Sequence, residues 1–299
     1  MTFQDGGQFE GGRVRKGGGG RRGGLIAGGG IGAVLVALVA VLLGGNGGDL
    51  GQLADQLTGG QQQGTGQEQF VGECSAQQAN SDRECRLNAT VQSLDAYWAG
   101  VLPQQARVEY TQPPVESFSG STTTACGAAS SSTGPFYCPP DQTVYIDLSF
   151  YDLLQQQFGA SDGALAEEYV VAHEVGHHIE NLIGAMDAAD RSGSGPESGS
   201  VRIELMADCL AGMWAGDAAR TVDPDTGVPF LRPITDEELR DALDAAAAVG
   251  DDHIQRQATG QIDPEGFTHG TSEQRVRWFT TGYEGGTLAD CNTLEAATL

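Results

Sequence analysis

The sequence predicts a mixed α+β domain, mainly helical, with a small sheet beside one central helix, preceded by a single apolar segment long enough to cross a bilayer. Three observations carry this reading: a helical stretch from Ser161 that contains the pattern His-Glu-x-x-His, one alternating stretch from Thr143 to Tyr151, and nineteen uncharged apolar or Gly residues from Leu25 to Leu43.

In chain order, five of the sixteen basic residues (Arg13, Arg15, Lys16, Arg21 and Arg22) lie in a Gly-rich start, and the remaining eleven, all Arg, are scattered through an acidic remainder. Residues 1–24 therefore read as an unfolded basic tail. As a helix, residues 25–43 would be about 28 Å long, close to the roughly 30 Å of a bilayer core. Basic residues on their N-terminal side give the expectation of a single-pass anchor in the cell membrane, with the tail cytoplasmic and everything after it outside. A cleaved signal peptide is the alternative, but its apolar core is usually only about 7–15 residues. Residues 44–70, rich in Gly and Gln, read as a flexible linker with a weak helix around Leu50, Leu53 and Leu57, and residues 71–299 read as the folded domain.

The formal net charge of -24 argues against nucleic acid as a partner. All six cysteines (Cys74, Cys85, Cys126, Cys138, Cys209 and Cys291) fall in the folded part, and the even count points to disulfides. Six cysteines allow fifteen pairings; nearness in sequence favours Cys74–Cys85 and Cys126–Cys138, which leaves Cys209 with Cys291.

Leu87, Val91, Leu94, Trp98 and Val101 recur at helical spacing up to Pro103 and read as an amphipathic helix. Gln112 to Thr133, rich in Pro, Ser, Thr and Gly, reads as loop. Val144, Ile146, Leu148 and Phe150 alternate with polar or amphipathic neighbours, as a half-buried strand does.

Within the helix from Ser161 or Asp162 to Gly184, His173 and His177 are four apart and share one face, so both imidazoles can converge on one metal ion. Zinc favours such nitrogen ligands, and Glu174 beside the first histidine is placed to take a proton from water as a general base. His178, one residue further, points about 100° away. A second helix capped by Ser200 puts Glu204 and Asp208 four apart among Ile203, Leu205, Met206, Leu210 and Trp214, surroundings that favour burial of both acids. Asp187 to Gly199 reads as the loop joining these two helices. Thr235 and Glu238 form a capping box for a further helix reaching about Val249, and Thr271 or Ser272 caps a last one. His269, just before that last helix, is a candidate donor to a developing oxyanion, with Tyr283 and Arg275 as alternatives.

The Glu-x-x-x-Asp spacing of Glu204 and Asp208 resembles that of the thermolysin-like, or gluzincin, peptidases. That resemblance implies a zincin-like fold, Glu204 as third zinc ligand, and Asp208 as acceptor for the non-ligating nitrogen of one histidine, His173 foremost. It also implies a strand beside the zinc helix that binds extended substrate by its edge, a part the strand from Thr143 could take. Further stretches, Phe136-Tyr-Cys-Pro, Val144-Tyr-Ile-Asp-Leu-Ser-Phe-Tyr, His173-Glu-Val-Gly-His-His, Glu204-Leu-Met-Ala-Asp-Cys and His269-Gly-Thr-Ser-Glu-Gln-Arg, are similar to a bacterial membrane-anchored family of neutral zinc metallopeptidases. The expectation is then a membrane-anchored hydrolase of peptides or proteins with one zinc ion per chain. The competing classes are a non-catalytic binding module stabilised by zinc and disulfides, and an amidase of cell-wall peptides.

Overall fold

The computed structural model describes residues 2–17, 68–131 and 133–299. Its centre is a mixed five-stranded sheet in the order β3-β2-β5-β9-β8, where β2 is Val14–Lys16, β3 is Gln69–Phe70, β5 is Val115–Phe118, β8 is Phe136–Cys138 and β9 is Thr143–Asp147. The pairs β2–β5 and β5–β9 are parallel, whereas β2–β3 and β8–β9 are antiparallel. A small ladder joins β1 (Gln8–Phe9) to β4 (Cys74–Ser75), and β6 (Ser121–Thr124) and β7 (Gly127–Ser130) form a separate hairpin.

Nine α-helices are present among the described residues: α1 Ala76–Ala79, α2 Arg83–Gln105, α3 Phe150–Phe158, α4 Ala164–Leu182, α5 Ala185–Ala188, α6 Gly199–Asp217, α7 Asp236–Ala248, α8 Asp251–Thr259 and α9 Ser272–Tyr283. The mixed α+β character with a small sheet beside α4 agrees with the sequence. The boundaries follow local chemistry: Ser198 caps α6, and Thr235 and Thr271 open α7 and α9 with complete capping boxes.

Helix α4 is buried along almost its whole length, packed between α2, α6 and α7, with β8 and β9 alongside. Helix α6 is clasped in turn by α4 and α9. The contact with α9 depends on missing side chains: a Cβ on Gly212 would lie 2.0 Å from the Phe279 carbonyl oxygen, and one on Gly282 would lie 1.9 Å from that of Cys209. Trp98, Trp214, Tyr169 and Phe279 fill the space between the helices. Each such side chain contributes about 1.5–3 kcal/mol through removal from water. Disulfides join Cys74 to Cys85, Cys126 to Cys138 and Cys209 to Cys291, the pairing favoured by sequence separation.

The single-pass anchor is not borne out. No helix among the described residues is long and apolar enough to cross a membrane, and residues 25–43 lie outside the described residues. The expected topology fails on a positive observation as well. Residues 2–17 are not an unfolded tail: Phe3, Phe9 and Val14 are buried in the same core as Trp98, Val115 and Trp214. Three of the cations read as a cytoplasmic signal are internal partners, Arg13 of Asp95 at 2.6 Å, Arg15 of Glu116 and Lys16 of Glu84. A single crossing between residues 17 and 68 would put a bilayer between strands that pair directly, Arg15 with Phe70 and Lys16 with Gln69. The arrangement with a cytoplasmic N-terminus and an external domain is therefore incorrect. Of the expected linker, residues 44–67 also lie outside the described residues, and Gln69–Phe70 is strand.

Two local expectations change too. Gln112 to Thr133 contains β5, β6 and β7 in place of a continuous loop; β5 is specified by partners on both sides, β2 and β9, which local composition does not reveal. The alternating stretch stops at Asp147, whose Oδ1 accepts hydrogen bonds from the Ser149 backbone N–H at 2.8 Å and hydroxyl at 2.7 Å, turning Phe150 and Tyr151 into α3.

Candidate metal centre

Helices α4 and α6 bring His173, His177 and Glu204 together, all three buried, with one potential ligand atom from each within 4.8 Å of the others. Gly176 allows this approach, since a Cβ there would lie 3.0 Å from the Ala207 carbonyl oxygen of α6. Nε2 of His173 is 3.2 Å from Glu204 Oε2, and Nε2 of His177 is 3.6 Å from Oε1. Two ligands of a tetrahedral zinc, each at about 2.0–2.1 Å, lie about 3.3 Å apart, so these spacings suit that ion.

The opposite nitrogens are committed elsewhere. His173 Nδ1 is 2.9 Å from Asp208 Oδ1, and His177 Nδ1 is 2.8 Å from Glu180 Oε2. With each Nδ1–H donated to a carboxylate, both Nε2 lone pairs converge on the oxygens of Glu204. Acceptors facing acceptors call for a positive charge between them, either protons or a metal ion. The His173–His177–Glu204 cluster is thus compatible with zinc.

The charges point the same way. Burial opposes charging of His173, yet the neighbouring Asp208 carboxylate outweighs it and pushes the imidazole up to about 10. Burial likewise opposes charging of His177, and Glu180 and Glu204 raise it. Burial would raise Glu204, but the charges of His177, His269 and His173 hold it well below the usual carboxylate range. Glu174, on the same helix, goes the other way: burial raises its carboxyl, against the opposing pull of the two histidines and a hydrogen bond from the Tyr137 backbone. Two carboxyls pushed in opposite directions within one site is the pattern of an ionised holder beside a proton carrier.

Asp208 is fully buried and held by three side chains from two helices: by the Tyr169 hydroxyl at 2.6 Å and by His173, both of α4, and by Arg275 of α9 at 3.0 Å. Arg275, one of the oxyanion donors considered from sequence, is therefore committed to Asp208 and Tyr169, and the ring of Tyr283 stacks on Phe279. His269 differs. Its Nδ1 is 3.1 Å from Asp251 Oδ1, while Oδ2 of Asp251 accepts the backbone N–H groups of Thr268, His269 and Gly270 at 2.7, 2.6 and 3.0 Å. Its Nε2 is buried without a partner among the described residues, and the Glu204 charge raises the ring against the effect of burial.

His178 bonds the Tyr137 hydroxyl of β8 and the Thr111 carbonyl, and His253 of α8 bonds the Phe158 carbonyl at the end of α3; both make their bonds outside the cluster. The strand expected to offer its edge, β9, is interior and paired on both sides. The edge strand beside α4 is β8, whose Tyr137 backbone reaches Glu174. Sequence reasoning passed over Glu180 and Asp251. Glu180 lies three residues after His177, a spacing that puts it on the same helix face, so a signal for it existed.

Comparison with known proteins agrees with this geometry. The family described as "Putative neutral zinc metallopeptidase" matches residues 3–294. An uncharacterized protein of Mycobacterium tuberculosis is 50% identical over 221 residues, 74% of each chain. The uncharacterized protein YpfJ of Escherichia coli is 41% identical over 219 residues, 72% of each chain. No solved structure matches the chain.

Proposed function

Because the chain belongs to this neutral zinc metallopeptidase family, we propose that it hydrolyses peptide bonds in peptide or protein substrates, with one zinc ion held by His173, His177 and Glu204. The observation that carries the reading is the convergence of two carboxylate-backed imidazoles on the Glu204 carboxylate, with Glu174 beside them.

Zinc bound there supplies Lewis-acid activation of water and of the scissile carbonyl. The chain's own residues do the rest. Glu174, raised by burial, takes the proton of the attacking water and passes it to the leaving amine nitrogen. Asp208 holds His173 in the tautomer that presents Nε2 to the site. His269, braced by Asp251, directs its unpartnered Nε2 as a donor to the oxygen on which charge develops. An extended substrate lies along the outer edge of β8, adding its backbone to the sheet.

The test is incubation of the purified, zinc-supplemented full chain with a mixture of unstructured peptides, read by mass spectrometry. Cleavage by the parent that a chelator abolishes and zinc restores supports the reading. No cleavage by a zinc-loaded parent would turn it toward a non-catalytic, zinc-stabilised binding module.

A further inference from the structure

Glu180 has no evident reason to be an acid. It is fully buried, 0% exposed, on the same helix as the two histidines. An apolar side chain would satisfy packing there without the cost of burying a carboxyl group. Among the described residues its one hydrogen-bond partner is Nδ1 of His177 at 2.8 Å through Oε2, and Oε1 is buried without a partner.

The contrast with Asp208 is informative. Both acids hold the Nδ1 of a histidine in the cluster. Asp208, however, is supported by the Tyr169 hydroxyl and faces the Arg275 guanidinium, so that it is oriented and neutralised from outside the cluster. Among the described residues Glu180 has only the imidazole. It lies three residues after His177, so the helix itself sets the distance between carboxylate and ring.

We propose that Glu180 is the positioning residue of His177: by accepting Nδ1–H it fixes the tautomer and the ring plane in which Nε2 points at the Glu204 oxygen 3.6 Å away. The two imidazoles are then held by different devices. His173 is fixed across helices, by α6 and α9, and His177 is fixed within its own helix. This rests on the zinc reading given above.

The experiment measures zinc affinity by competition with a chromogenic chelator for the parent, Glu180→Gln and Glu180→Leu full-length proteins. Each zinc-loaded protein is then examined by proton–nitrogen NMR for a slowly exchanging His177 Nδ1–H. A glutamine oxygen can accept the same hydrogen bond, so Glu180→Gln should stay within about threefold of the parent and keep the Nδ1–H signal. Glu180→Leu should bind zinc about 10–100-fold more weakly and lose the signal, the range usual for removing such a partner. Equal affinity in Glu180→Leu and parent, or equal losses in both variants, would overturn the assignment. If Glu180→Leu does not fold, Glu180→Gln alone decides, because a His177 protonated on Nε2 in that variant contradicts it. A parent that binds no zinc would instead strike the metal reading itself.

Discussion

Arg275 and Asp208 meet at 3.0 Å inside the protein, the guanidinium coming from the last helix and the carboxylate from the helix that also carries Glu204. The pair links the C-terminal helix to the candidate metal centre, because the same Asp208 oxygen that accepts from Arg275 accepts from His173. Removing one partner leaves the other charge buried and uncompensated. Arg275→Met should therefore destabilise the fold by roughly 3–5 kcal/mol in chemical denaturation. Asp208→Asn keeps an oxygen for His173 but, unlike Glu180→Gln, leaves the buried Arg275 guanidinium without its counter-charge, and should lower zinc affinity by about tenfold or more. Wild-type stability in Arg275→Met would mean the pair is incidental.

Glu174 is assigned the proton transfer and no part in holding the ion. Glu174→Gln should retain zinc at the parental stoichiometry while peptide cleavage falls by about 100-fold or more. Joint measurement of metal content and turnover separates the roles: undiminished turnover removes Glu174 as general base, and lost zinc makes it part of the metal-holding structure.

Glu168 is fully buried on the same helix, with Oε2 unpartnered among the described residues and Oε1 accepting from the Thr2 hydroxyl of the N-terminal segment. Burial raises its carboxyl from 4.5 to about 8. Below pH 4.5 it is protonated in both folded and unfolded chains; between pH 4.5 and about 8 the unfolded chain releases the proton first. Its contribution is thus fully present at low pH and lost as pH rises through that window, by at most roughly 5 kcal/mol. Glu168→Gln should flatten the fall, so that the stability difference between variant and parent shifts in the variant's favour from pH 5 to pH 8.5. An identical pH dependence in both proteins would show that Glu168 is ionised in the folded state throughout.

Gly176 sets the distance between the two helices of the site. A methyl group there would lie 3.0 Å from the Ala207 carbonyl oxygen and 3.1 Å from its Cα, both backbone atoms of the facing helix. Alanine gains about 1 kcal/mol of helix propensity, while such overpacking costs about 1–3 kcal/mol. The net effect of Gly176→Ala on stability should be a small loss. Zinc affinity should suffer more, because Glu204 lies on the helix that has to move; parental affinity would show that the spacing is not limiting.

Much of the site was legible because it is written at helical spacing. His173 with His177, and Glu204 with Asp208, are each four residues apart, and their burial follows from the apolar residues around them. The disulfide pairing was legible from sequence separation. The N-terminal segment was not. Its Gly-rich composition and basic residues resemble a tail next to an apolar run, and only the tertiary partners Asp95, Glu116 and Glu84 explain why Arg13, Arg15 and Lys16 are there. Strand β5 was hidden for a similar reason. Val115, Glu116, Ser117 and Phe118 are all buried without alternating, since Val115 joins the main core, Phe118 packs with Ala129 and Tyr145, and Glu116 is matched by Arg15 and Thr122. Asp251 has no local signature because it acts on a loop seventeen to nineteen residues away.

The most direct test of the central claim is the zinc content of the purified full chain, measured by elemental mass spectrometry after zinc is offered and excess removed. The full chain is needed, since Phe3, Phe9 and Val14 belong to the core. The parent should carry about one zinc per chain, as three protein ligands and an open position require, with a large loss in His173→Ala, His177→Ala and Glu204→Ala. A folded parent that takes up no zinc would contradict it.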